Sequence, residues 1–189
     1  MFSVQQPPAG IPSVAVRATG SVGRVIGFAL LAALAAQVIV PIGSVPVTLQ
    51  TLAVVLAGLL LRPREAAAAM ALYVAAGCLG TPVFAAGRAG LTAATAGYLL
   101  SFPVAAALVS RIGQGRHTGL GRPVAAAVLG LGVVFGLGVS WLAVLTGSLS
   151  EAVMVGLVPF VWIEVAKVGV AVTLVRGGRQ VRGTRSGAV

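Results

Sequence analysis

The sequence contains no aspartate and no asparagine, and only one histidine, one cysteine, one lysine and three glutamates in 189 residues. Each shortage removes a class of function. A single cysteine, Cys78, excludes an intrachain disulfide; it lies in an apolar segment and is expected to be a small buried hydrophobe. Three glutamates, with His117 alone in a basic polar loop, cannot supply the ligand cluster of a protein-only metal site. A Ser-His-Asp triad has no aspartate to draw on, and no catalytic residue is expected. The pattern G-x-x-x-x-G-K-[ST] is absent and the lone Lys167 sits inside an apolar run, so the chain carries no phosphate-cradling loop of its own. Charge of any sign is scarce, at 8% of residues, where soluble domains carry about a quarter.

What remains is apolar. Hydrophobic residues make up 58% of the chain and the mean hydropathy is +1.06. The length fits one domain, and the class is an all-α integral membrane protein. An outer-membrane barrel is excluded, because the apolar stretches are long and rich in Ala, Leu and Gly rather than alternating. The net charge of +10 does not mark a nucleic-acid binder. The basic residues fall between apolar runs, as orientation signals do, and not on one face with interleaved aromatics. The expected surroundings are a lipid bilayer, crossed several times.

Six spans are expected, near Val25–Val40, Thr48–Leu61, Ala66–Gly80, Thr95–Ile112, Pro123–Thr146 and Ala152–Val175. Flexible tails at 1–22 and 176–189 would flank a membrane domain at 23–175. Counting connections alternately, one side receives Arg17, Arg24, Arg62, Arg64, Arg111, Arg116, Arg122, Arg176, Arg179, Arg182 and Arg185, eleven of the thirteen basic residues. The other side receives only Arg88. The positive-inside rule then puts both termini in the cytoplasm. A re-entrant hairpin of spans 2 and 3 is disfavoured, since it would bury Arg62, Arg64 and Glu65. Gly132-x-x-x-Gly136 in span 5 suggests close helix packing, as do Ala29-x-x-x-Ala33 and Ala32-x-x-x-Ala36 in span 1.

The stretch Pro159-Phe160-Val161-Trp162-Ile163-Glu164-Val165-Ala166-Lys167 places two opposite charges inside the last apolar run. Each costs about 2.5–3.5 kcal/mol at a helix centre on insertion scales. The i, i+3 spacing puts both heads on one face, and an ionisable group at membrane depth is a functional-site candidate. The expected outer side holds Thr48 and Gln50 at the start of span 2, Tyr98 at the start of span 4, and a connection, residues 81–95, carrying Phe84, Arg88, Thr92 and Thr95. A long loop over polar side chains suggests a lid over a site. Structural alternatives remain: an ion pair that only orients helices, Thr48 as a cap, Tyr98 and Trp162 as interface anchors. A membrane enzyme using Glu164 as general base is a further alternative, weakened by the lack of a second carboxylate, metal ligand or nucleophile.

Val45-Pro46-Val47-Thr48-Leu49-Gln50-Thr51 resembles the BioY family, the biotin-specific S components of energy-coupling factor (ECF) transporters. Further resemblance follows at Ala57–Arg64, Leu72-Tyr73, Gly77–Phe84, Gly97–Leu100 and Val158-Pro159-Phe160 with its acid and lysine. It implies six helices with cytoplasmic termini and biotin as transported substrate, with no cofactor. It also implies an outward-facing cavity closed by the 81–95 loop, and partnership with a transmembrane T component and two ATPase subunits. The family's acid–lysine pair carries over to Glu164 and Lys167, with Glu where Asp is common. The small-residue ridge, Ala29, Ala32, Ala33 and Ala36, becomes a candidate contact for the T component. Gly-Pro-Thr-Gly-Gly-Tyr is replaced here by Ala93-Ala94-Thr95-Ala96-Gly97-Tyr98, and any asparagine contact of relatives is lost. Biotin suits such a site: a carboxylate accepts the ureido N–H, an ammonium donates to the ureido C=O, and Arg88 meets the valerate.

Overall fold

The computed structural model describes residues 13–40, 45–115 and 119–186. Seven helices carry the fold: α1 (Ser13–Gln37), α2 (Gln50–Leu60), α3 (Pro63–Cys78), α4 (Ala96–Gly113), α5 (Gly121–Thr146), α6 (Leu149–Gly156) and α7 (Val161–Ser186). The short strands β1 (Ile39–Val40) and β2 (Val47–Thr48) pair antiparallel, Ile39 opposite Thr48. Four stretches, Gly20–Gln37, Ala96–Gly113, Gly121–Thr146 and Leu149–Gly178, are long and apolar enough to cross a membrane.

Local chemistry sets the boundaries. Arg62 is extended at ψ 154° ahead of Pro63, as a pre-proline residue must be, which stops α2 and lets α3 restart with proline in its first turn. With 11 residues, α2 reaches about 16 Å, well short of the roughly 30 Å hydrocarbon layer. Its last carbonyls are taken by α4 instead of water: Ser110 Oγ donates to Leu61 O at 2.7 Å and Gln114 Nε2 donates to Leu61 O and Gly58 O. Gly147, at φ 71°, ends α5 in the left-handed conformation that glycine adopts freely. Ser148 then caps α6 by accepting from Glu151 N–H.

Several expectations change. The last apolar run is not one helix: Leu157 leaves the helical region at φ −125° and Val158–Phe160 form a 3₁₀ turn. Pro159 has no N–H to continue an α-ladder. Glu164 therefore stands in the first turn of α7. The segments expected as tails are helical from Ser13 and up to Ser186; residues 1–12, and His117 in the basic loop, lie outside the described residues. Cys78 is exposed. Gly132 and Gly136 face outward with nothing near the place of a Cβ. Close packing in α5 falls to Gly130, whose absent Cβ makes room for Val109 of α4, and to Gly138, which faces the Tyr98 ring. Ala29, Ala32 and Ala36 are buried in the chain's own core, where α1 meets α2 and α3. They offer no free surface to a partner; Ala33 is half-buried in the same cluster.

Among these helices α4 is central, packing on α2, α3 and α5. α7 packs on α2 and α5, and its Val168, Ala171, Val172 and Val175 share a core with Val55, Leu59 and Val109. α1 is fastened at its N-terminal half by a polar cluster: Arg24 Nη2 and Ser21 Oγ each donate to Glu65 Oε1 at 2.6 Å. Arg62 N–H donates to the other oxygen. The Arg24 guanidinium holds the Glu65 carboxyl down to about 2; burial opposes this, and the Ser21 and Arg62 donors and the Arg24 charge assist it.

A carboxyl depressed in the fold stabilises above its ordinary value and loses that contribution as pH falls through the folded one. The midpoint of thermal unfolding in detergent should therefore drop between about pH 4.5 and about 2. Arg24→Met should lower the neutral-pH midpoint and flatten this acid limb. An acid limb of equal depth in both proteins would rule the cluster out.

Candidate functional site

Val45-Pro46-Val47-Thr48 runs in as strand β2, turns at Leu49 and opens α2, so Thr48, Gln50 and Thr51 cluster at one helix end. β1 holds this entry in register, and Thr48 Oγ1 accepts from Gln50 N–H. The first turn of α7 lies alongside. There Glu164 and Lys167, both about 6% exposed, form an ion pair, Nζ to Oε1 at 2.6 Å. Thr51 sits between them: its hydroxyl donates to Glu164 Oε1 at 2.9 Å and accepts from Lys167 Nζ at 2.9 Å. The third ammonium proton goes to Thr48 O at 2.6 Å. All three donors of Lys167 are thus used within the protein. Glu164 Oε2 is different. It is buried and has no hydrogen-bond partner among the described residues, a state that costs about 1–3 kcal/mol or more for a charged group.

Glu164 lines a cavity that offers the centres of water-sized groups about 80 Å³. Its walls are aromatic and aliphatic, including Phe84, Leu99, Phe102, Val134, Phe135 and Phe160. Phe135 bridges Tyr98 and Phe160, with ring centres 6.0 and 5.8 Å apart. Tyr98 is held by its hydroxyl, which donates to Gly156 O at 2.9 Å; Gly138 and Gly156 leave room for the ring and its hydroxyl. The polar lining is Thr48, Gln50, Thr51, Thr92, Thr95, Arg88 and Glu164. The 81–95 connection supplies one wall. Within it Phe84 is buried on Gly77 and edge-on to Tyr73, and Arg88 is exposed at the rim.

Of the residues singled out from sequence, Glu164, Arg88, Thr48, Gln50, Tyr98 and Phe84 all line this one cavity. Lys167 does not. Its ammonium is held by three protein oxygens and stands as counter-charge to the carboxylate. Trp162 points outward, 81% exposed. Sequence reasoning passed over Thr51, although it follows Gln50 directly at the head of α2. It also passed over Phe160, four before Glu164. Phe102 and Phe135 carried no local signal at all. Among the described residues no group of three or more His, Cys, Asp or Glu comes together to hold a metal. Among the described residues no second carboxylate, histidine or cysteine lines the cavity.

The site therefore suits a small guest with a neutral N–H donor and apolar bulk. The same fold occurs in the crystal structure, at 2.1 Å, of the S-component for biotin from an ECF-type ABC transporter, with a TM-score of 0.79 over 91% of this chain and 95% of that one, at 21% identity. The class is thus a multi-pass membrane protein of the S-component fold with an internal small-molecule cavity. Within it the chain belongs to the BioY family, which it matches over residues 9–184. It is 35% identical over 150 residues to the probable biotin transporter BioY of Pyrococcus horikoshii, covering 78% of this chain and 88% of that one. It is 35% identical over 147 residues to the biotin transporter BioY of Thermotoga maritima, covering 76% and 86%.

Removing the counter-charge should expose the cost of the buried pair. Lys167→Met should destabilise the protein by about 3–5 kcal/mol, because Glu164 is left charged and unpaired. Adding Glu164→Gln should recover most of that loss. Denaturant unfolding in detergent checks both; a single-variant loss below about 1 kcal/mol would mean that the pair is hydrated.

Proposed function

We propose that this chain is the biotin-binding membrane subunit of an uptake system. The observation that carries the reading is Glu164 Oε2, a buried carboxylate oxygen without a partner in an otherwise aromatic cavity. A ureido ring presents two N–H donors and one C=O acceptor. One N–H donates to Glu164 Oε2, a charge-assisted bond strengthened by exclusion of water. The ureido carbonyl then needs a donor other than Lys167. Gln50, buried and lining the cavity beside the pair, supplies its side-chain amide. The thiophane ring and valeryl chain fill the space among Phe84, Phe102, Phe135 and Phe160, and the valerate reaches Arg88 at the rim. The names carried by relatives and by the fold neighbour agree with this ligand.

The topology that goes with it has six membrane passes, with the short α2 and α3 as the second and third and the broken α6–α7 unit as the last. Both termini lie in the cytoplasm of the cell, where the arginine-rich connections also fall, and the cavity opens outward beneath the 81–95 loop. Exposed Arg62 and Arg64 at the α2–α3 turn fit that orientation. Having no nucleotide-binding loop, the chain would draw energy from partners, namely an ECF T component and two ATPase subunits.

Titration of biotin into the detergent-solubilised chain tests the reading. Binding is expected, and Glu164→Gln should weaken it by more than about tenfold, the equivalent of 1.4 kcal/mol. Arg88→Ala should weaken biotin but leave biotin methyl ester within about threefold, because the ester lacks the charge that Arg88 meets. No heat of binding with the native chain would end the proposal; equal losses for acid and ester would remove Arg88 from the site.

A further inference from the structure

Gln37, the last residue of α1, is exposed and lies outside the cavity. Its side-chain amide nevertheless makes more contacts with the 81–95 loop than with its own helix. Nε2 donates to Ala33 O at 3.0 Å, as a helical residue can to its preceding turn, and also reaches Phe84 O at 3.2 Å and Val83 O at 3.4 Å. Oε1 accepts from Gly87 N–H at 3.0 Å. One planar amide thus holds both sides of the turn at 84–88. That turn is closed by Phe84 N–H donating to Arg88 O at 3.0 Å and by Gly87 N–H, which also reaches Phe84 O at 3.0 Å. Its tip is strained: Ala86 sits at φ 60°, ψ 32°, left-handed without being glycine. Such a conformation persists only where the surroundings over-determine it.

We propose that Gln37 is the latch of the loop, a positioning residue through which α1 holds Phe84 over the cavity and presents Arg88 at its rim. The rest of the loop is tied to α3, by Gly90 N–H to Gly77 O at 2.8 Å and by Tyr73 Oη to Val83 O at 3.4 Å, and to α5, by Trp141 Nε1 to Ala93 O at 2.8 Å. Those ties fix its ends. The turn that bears Arg88 is held through Gln37. Because α1 is anchored to α3 at the Arg24–Glu65 cluster and presents a largely exposed apolar flank including Ile26, Leu30 and Leu34, a force on that flank would reach the loop through the amide. The part of this inference that concerns retention of ligand rests on the biotin reading; the latch itself does not.

Hydrogen exchange and ligand release separate the two. In the full chain, in detergent and without biotin, Gln37→Leu should speed exchange of the 83–88 amides by about tenfold, the loss of roughly 1.4 kcal/mol of protection. Gln37→Glu keeps the acceptor for Gly87 N–H and should fall between native and leucine variant. Exchange within about twofold of native in Gln37→Leu overturns the latch. With labelled biotin bound and chased, Gln37→Leu should raise the dissociation rate by about tenfold. In an Arg88→Ala background it should add less than about threefold, since the group it positions is gone. Faster exchange with an unchanged dissociation rate overturns the retention role. If the native chain holds no biotin, the function fails while the exchange comparison still decides the latch.

Discussion

A carboxylate and an ammonium, nearly dry and 2.6 Å apart, are the constraint around which the rest of this protein is arranged. Their attraction alone does not repay the removal of two charges from water; the extra hydrogen bonds must do so. Three of these come from the entry to α2, through Thr48 O and both roles of the Thr51 hydroxyl. Hence the chain needs β2 and α2 at a fixed place against α7. Among the described residues the remaining carboxylate oxygen is left unmatched, on a residue that lines the cavity.

Bringing those elements together requires helices that approach closely. The chain achieves this with glycine and alanine where helices cross, as at Gly58 and Gly130 on either side of Val109. Larger side chains would hold α2 and α5 away from α4. The same device seats Tyr98 between Gly138 and Gly156, and the phenol then donates to the Gly156 carbonyl at the end of α6. That carbonyl is free because Pro159 breaks the helix just beyond it. The break also starts α7 afresh, so that its first two turns, and not its middle, carry the charged pair. A buried acid one turn from a helix start benefits from the positive end of the helix dipole.

The loop over the cavity belongs to the same economy of small contacts. Phe84 packs on Gly77 and Tyr73 of α3, Arg88 stands at the rim, and the Gln37 amide on α1 adds the polar tie of their turn to the bundle. α1 is thereby joined to the rest at two points, the Glu65 cluster and the loop, with the core contacts of Ala29, Ala32 and Ala36 between them.

Composition by itself decided the class: few charges and long, non-alternating apolar runs point to a helical membrane protein. Residues close in sequence were equally legible. Glu164 and Lys167 share a face by helical spacing, and Thr48 and Gln50 lie at the head of a helix flagged by Pro46. What the tertiary structure alone decided is which atom of each group is free. The ammonium of Lys167 is met by Thr48 and Thr51, more than a hundred residues away in sequence. The glycine pair at 132 and 136 has the right spacing but the wrong azimuth, and the alanine ridge of α1 turns inward. Spacing along a helix says which side chains lie together; the direction they face depends on the neighbours that pack against them, and those are chosen only when the chain folds.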